Sequence, residues 1–137
     1  MTSKLVLDNL AGRTTAGSIT IVGEGNSTTT NLQQGILKCW GTVSGVDTTI
    51  QDSFNLSSSA DNATGSKIET MTNPMETGAN YSVCSTVFYA SGSGNGLHAY
   101  TEATYTTTQF RIDTLNYNND SDGDCGAVLF QVAGSLA

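Results

Sequence analysis

The segment Asn118-Asn119-Asp120-Ser121-Asp122-Gly123-Asp124 sets oxygen-bearing side chains at alternate positions, with a glycine at the bend. That spacing opens the loop that wraps a calcium ion. Position twelve of such a loop needs a bidentate acid, and Leu129 stands there. No flanking helices are expected either, so the EF-hand reading fails. A calcium site of another kind, held by Asp120, Asp122 and Asp124, stands as the single cofactor expectation. Its plain alternative is a solvated β-turn loop.

Other chemistry finds less support. Nucleophilic catalysis needs a base held beside a nucleophile. His98 is the lone histidine, and no GxSxG surround accompanies it. Twelve acids are available for a carboxylate pair, but most fall in turns or on polar strand faces. The glycine runs Gly23-Glu24-Gly25 and Gly92-Ser93-Gly94-Asn95-Gly96 lack the Lys-Ser/Thr tail and following helix of a phosphate cradle. No enzyme is expected, and no catalytic residue is assigned. Tyr100, Tyr105 and Tyr117 flank loops and offer a stacking surface for a sugar, with a core edge or subunit contact as the alternative. Cys39, Cys84 and Cys125 form no CxxC pair, so zinc and redox motifs are excluded. Each lies in or beside an apolar strand pattern. They read as buried core thiols, with one bridge plus a free thiol as the alternative.

The elements that must position these residues are strands. Thr, Ser, Asn and Gly together make 62 of the 137 residues, and only 12% are charged. β-branched Thr fits a pleated surface, and Asn and Gly suit turns. No apolar run reaches the roughly 18 residues of a membrane-spanning helix. Asp8 interrupts the N-terminus before a long apolar stretch, so no secretory leader is expected. Five bases against a net charge of −7 make no basic patch, which argues against a nucleic-acid partner.

Residues 1–34 read as an extended arm. Leu5-Val6-Leu7 and the alternating Ser18-Ile19-Thr20-Ile21-Val22 are separated by turn chemistry, and Asn31-Leu32-Gln33-Gln34 fits one helical turn. The arm is too poor in large apolar residues to build its own core. Residues 35–137 read as one all-β domain of seven or eight strands, an antiparallel β-sandwich of jelly-roll or immunoglobulin-like topology. Within it, Lys67-Ile68-Glu69-Thr70-Met71 alternates, with Ile68 set against Lys67 and Glu69. Asn80 to Tyr89 is the longest strand signal and reads as a central strand. In Gln109 to Asp113, Phe110 and Ile112 point one way, and Gln109, Arg111 and Asp113 the other. Trp40, Phe88, Phe110 and Phe130 are taken as core aromatics.

The run Asp52-Ser53-Phe54-Asn55-Leu56-Ser57-Ser58, then Asp61-Asn62-Ala63-Thr64-Gly65, resembles the "DSFNVSS…DNGTG" pattern of small β-domains in tailed-bacteriophage fibres. Met75 with Asn80-Tyr81-Ser82-Val83 is similar to that family's "M…NYSV" strand. Ile36-Leu37-Lys38-Cys39-Trp40 resembles its "LAKAW" entry strand, and Thr107-Thr108-Gln109-Phe110-Arg111-Ile112 its "T…FRI" strand. The segment from Gly23 to Gly35 resembles the linker that precedes this domain in marine phages. The likeness covers about residues 18–132.

The resemblance implies a non-enzymatic virion protein, exposed on the particle and commonly trimeric, assembled in the host cytoplasm. Its partners would be further copies of itself, other capsid or tail proteins, and a host-surface glycan contacted through loops 91–97 and 116–124. No membrane insertion is implied. A chain of 137 residues is short for a long fibre, which points to capsid decoration, or else to a short fibre or spike. A carbohydrate-binding module is the reading from another class. The arm is expected to add strands to neighbouring subunits.

Overall fold

The computed structural model describes residues 5–12, 19–22, 29–78, 80–88, 97–102, 105–116 and 121–136. The chain divides into two compact units, Met1–Ile36 and Leu37–Ala137. In the first, β1 (Thr20–Val22) pairs antiparallel with β2 (Thr29–Asn31), with Ile21 opposite Thr30. A single helical turn, α1 (Leu32–Gly35), follows, and Leu32 N donates to Ile19 O at 2.9 Å. Leu5, Val6, Leu7 and Leu10 are exposed.

The second unit is an all-β sandwich of two antiparallel sheets packed against each other. One sheet runs β4 (Ile50–Phe54), β3 (Cys39–Ser44), β11 (Ala127–Ala133), β7 (Ser82–Phe88). The other is built around β9 (Gln109–Asn116). On one side, β9 takes β6 (Ser66–Met71), which in turn holds β5 (Leu56–Ala63). β8 (Leu97–Glu102) lies along its opposite side, and β10 (Ser121–Asp122) pairs with its end. Leu115 is the register partner of both His98 and Asp122, so β8 and β10 flank β9 on opposite edges.

The chain leaves the first sheet for the second at Asn55, the one residue between β4 and β5. Its φ is 59°, a left-handed conformation that Asn tolerates better than most side chains. The β5–β6 turn closes on Gly65, whose φ is +67°. A Cβ there would lie 2.6 Å from the Thr114 carbonyl oxygen, so the position admits glycine alone.

The core takes one face of each strand. β3 sends in Cys39, Gly41 and Val43; β11 sends in Val128, Phe130 and Val132; β9 sends in Phe110 and Ile112. The Phe110 and Phe130 rings meet edge to face with centroids 5.1 Å apart. Gly41 is tied to that contact, since a Cβ there would lie 2.7 Å from the Phe130 ring.

Several expectations are corrected. The strand at 82–88 is an edge of its sheet, and β11 is central. Ser82, Cys84, Thr86 and Phe88 point outward from β7, while Val83, Ser85 and Val87 point in and are half-buried. Phe88 is therefore not a core aromatic; it is 67% exposed. Trp40 faces outward from β3 and is half-buried. Cys84 is exposed, whereas Cys39 and Cys125 are buried, and all three are free. The polarity of β6 is also inverted. Lys67 and Glu69 pair in register with Ile112 and Phe110, so the two charged residues share the core-facing side and Ile68 faces away.

Candidate functional site

Two charged residues of β6, Lys67 and Glu69, enter the sandwich, and they are held differently. Lys67 lies on β6 opposite Asp61 of β5. Its stem is buried, and its Nζ donates to Asp61 Oδ1 at 2.9 Å. The methylenes thus fill core space while the ammonium reaches a carboxylate nearer the surface. Glu69 has no such outlet. It is fully buried, Ser59 Oγ donates to its Oε1 at 3.0 Å, and its Oε2 has no partner. Burial pushes its carboxyl up to about 7, while the Ser59 hydrogen bond and the Lys67 charge pull the other way.

The same burial acts on the thiols. Desolvation, with the Glu69 charge adding to it, pushes Cys39 up to about 12, and desolvation raises Cys125 as well. Neither buried cysteine is a nucleophile at neutral pH.

On the other face of the same sheet, Arg111 Nε donates to Asp113 Oδ1 at 2.8 Å. Asp113 is 2% exposed although strand alternation sets it on the side away from the core, and its Oδ2 has no partner. Beside it, a pocket of 230 Å³ is lined by Asn62, Ile68, Gln109 and Arg111 among others. The polar groups of that pocket already serve one another or neighbouring strands: Asn62 Nδ2 donates to Ser66 Oγ, and Gln109 Nε2 to Thr70 Oγ1.

The outward face of the four-stranded sheet has the opposite character. Phe54 pairs with Trp40, Trp40 with Gln131, and Gln131 with Cys84, giving one row across all four strands. Asp52, Thr42, Leu129 and Thr86 make the next row, and Ser44, Ala127 and Phe88 a third. Asp52 is the only charged residue among them. Phe54 is 54% exposed, as an apolar side chain standing at one edge of the sheet. Between the rows lies a depression of 330 Å³, lined by Trp40, Thr42, Cys84, Thr86, Leu129 and Gln131. Sequence reading misses this face because it assigns two of its aromatics, Trp40 and Phe88, to the core and gives Phe54 no side. The register alone reveals it: Phe54 and Trp40 are cross-strand partners, so the two must lie on one side.

The residues singled out from the sequence are not brought together. Asp124 Oδ1 accepts from Gly65 N at 2.7 Å, so this carboxylate pins the β5–β6 turn. Asp122 is exposed on β10, and Asp120 lies outside the described residues. Among the described residues, no three His, Cys, Asp or Glu side chains are grouped to hold a metal ion.

Tyr105 meets Tyr81 edge to face at 4.9 Å and packs against the core, so its ring is largely committed to the interior edge. Tyr100 stands on β8 opposite Asp113, and Tyr117 lies outside the described residues. His98 stands on β8 opposite Leu115. The loop residues 91–96 lie outside the described residues as well.

Compared with protein-family models, curated proteins and solved structures, the chain shows no match.

Proposed function

We propose that this chain is a non-enzymatic structural protein of a bacteriophage virion, exposed on the particle as a capsid decoration protein and assembled from several copies, a trimer being the preferred number. The observation that carries this reading is the outward face of the four-stranded sheet. Phe54, Trp40, Leu129 and Phe88 stand there with Asp52 as the single charge among the described residues of the face. Burying such a face against another protein releases water from apolar surface and desolvates almost no charge. The ordered resemblance from residue 36 to residue 112 supplies the phage context, and the low charge of the whole chain suits close packing of like copies.

A short tail-fibre or spike subunit is the second reading, favoured by the fibre-domain resemblance itself. In that setting a host-surface glycan would be the external partner.

The test is immunogold electron microscopy of particles of the phage that encodes the chain, with antibody raised against the purified protein. Label over the capsid surface is the expected result. Label confined to the tail replaces decoration with the second reading. Particles that stay unlabelled while infected-cell extract reacts with the antibody overturn the virion reading.

A further inference from the structure

Lys67 and Asp61 are register partners on β6 and β5, and Lys67 Nζ lies 2.9 Å from Asp61 Oδ1. Glu69 stands two residues further along the same face of β6, where the Lys67 charge acts on it. We propose that Lys67 and Asp61 close an intramolecular isopeptide bond between Lys67 Nζ and Asp61 Cγ, with Glu69 as the proton relay.

The surroundings suit the reaction. Lys67 is 2% exposed and its register partner on β9 is Ile112, so the amine is shielded from water on an apolar side. Asp61 is 54% exposed, which leaves a released water molecule a way out. Strand pairing holds amine and carboxyl together, so no encounter step is needed. Residues on the same face of a strand stand about 7 Å apart, within reach of a glutamate side chain. Glu69 Oε1 is anchored by Ser59 Oγ at 3.0 Å, and its buried Oε2 has no partner. Burial keeps this carboxyl protonated up to about 7, so near neutral pH it can both give and take a proton.

The step balances with no external reagent. The Lys67 ammonium passes one proton to the Asp61 carboxylate, leaving a neutral amine and a neutral acid. The Nζ lone pair then forms a bond to Cγ, and the carbonyl electron pair moves onto oxygen, which takes the Glu69 proton. Glu69 recovers a proton from Nζ. Collapse of the tetrahedral centre breaks one C–O bond and releases water, and Nζ keeps a single hydrogen. Two charges vanish from a site where at least the ammonium is desolvated, which favours the amide. The product is a covalent rung between β6 and β5, the strand at the end of its sheet.

The purified full chain is incubated at neutral pH until its mass is constant, then weighed intact by mass spectrometry. It is next unfolded and digested with trypsin. Lys67 is the one tryptic site between Lys38 and Arg111. We expect a chain lighter than its sequence by one water, a single peptide covering 39–111, and fragment ions that join Lys67 to Asp61. Asp61→Ala should keep its full mass and be cut after Lys67. Asp61→Asn should instead lose one ammonia as the same bond forms. Glu69→Gln, folded by circular dichroism, should carry the bond at a level at least about tenfold lower at matched times.

A wild-type chain of full mass that is cut after Lys67 overturns the proposal, whatever the variants do. So does a lost water traced to a succinimide or to any acyl partner other than Asp61. A folded Glu69→Gln that forms the bond as fast as wild type overturns the role given to Glu69.

Discussion

Asn55 Oδ1 accepts from Asn73 N at 2.7 Å, and that bond locks the corner where the chain passes from one sheet to the other. The same side-chain oxygen accepts from Asn73 Nδ2 at 3.0 Å, while Asn55 Nδ2 donates to Lys38 O at 2.8 Å. The Asn55 carbonyl accepts from Thr72 N at 3.1 Å. One residue thus joins the start of β3, the β4–β5 corner and the segment after β6. Asn suits the place twice, by tolerating its φ of 59° and by carrying both a donor and an acceptor.

Asn55→Gly keeps the backbone freedom and loses the side-chain bonds, so it should cost about 1–2 kcal/mol. Asn55→Ala loses those bonds and adds backbone strain of about 1 kcal/mol or more. Urea unfolding should therefore rank wild type above Gly and Gly above Ala. Equal stability of the two variants would show that the conformation contributes nothing.

Glu69 should make stability fall as pH rises across the neutral range. Its carboxyl is raised from 4.5 to about 7 in the folded chain. The folded state then holds a proton that the unfolded state has lost between those two pH values. Its stabilising effect is complete below about pH 4.5 and is lost as pH climbs through 7, a change of about 3 kcal/mol at 1.36 kcal/mol per pH unit. The groups around it are Lys67 on its own strand, Ser59 on β5, the Phe110 ring on β9 and Cys39 on β3. Cys39 is raised to about 12 and does not titrate in this window. Urea unfolding at pH 5 and pH 8 should show the loss, and Glu69→Gln should flatten it.

Gly65→Ala should cost more than a surface substitution, because the added methyl carbon meets the Thr114 carbonyl in a turn that must keep its φ of +67°. A loss of about 2 kcal/mol is expected from strain of this kind. Asp124→Ala should cost about 1–2 kcal/mol by releasing the Gly65 amide. If Asp124 serves the turn, thermal unfolding will show the same loss with and without millimolar calcium. A loss that appears only with calcium would restore Asp124 as a metal ligand.

Tyr81 Oη lies 3.0 Å from Thr106 O and 2.8 Å from Gln109 O, so its hydroxyl ties the chain entering β7 to the segment leading into β9. Tyr81→Phe should cost about 1 kcal/mol. Tyr105→Ala should cost more, since it removes the ring that meets Tyr81 edge to face. Thermal unfolding of both variants checks the order. A Tyr105→Ala variant with unchanged stability would free that ring for a surface role.

Much of the fold was legible before the structure. The Thr-rich alternation, the glycine and asparagine turns and the absence of a helical stripe all specify short strands, and those follow from local sterics and side-chain period. Phe110 and Ile112 on one face of β9 are a case of this: two residues apart on a strand, they must point together. The helical turn at Leu32–Gly35 falls where local preference allowed it.

The candidate sites were less legible, because spacing along the chain does not say what lies across it. Asp124 looked like a ligand in its own loop, yet its carboxylate meets Gly65, 59 residues away. Tyr105 looked like a loop-edge platform, yet its ring is taken up by Tyr81.

The division can be stated in physical terms. Composition and period two determined an all-β chain with few charges, since these depend on each residue and its immediate neighbours. Only the tertiary structure decided which side of each strand is inside. On β6 it turned Lys67 and Glu69 inward because Asp61 and Ser59 stand opposite them on β5. On β3 and β4 it turned Trp40 and Phe54 outward because Cys39, Gly41 and Val43 fill the space beside Phe130. A strand has two faces related by a shift of one residue, and the choice between them is settled by what another part of the chain brings to meet it.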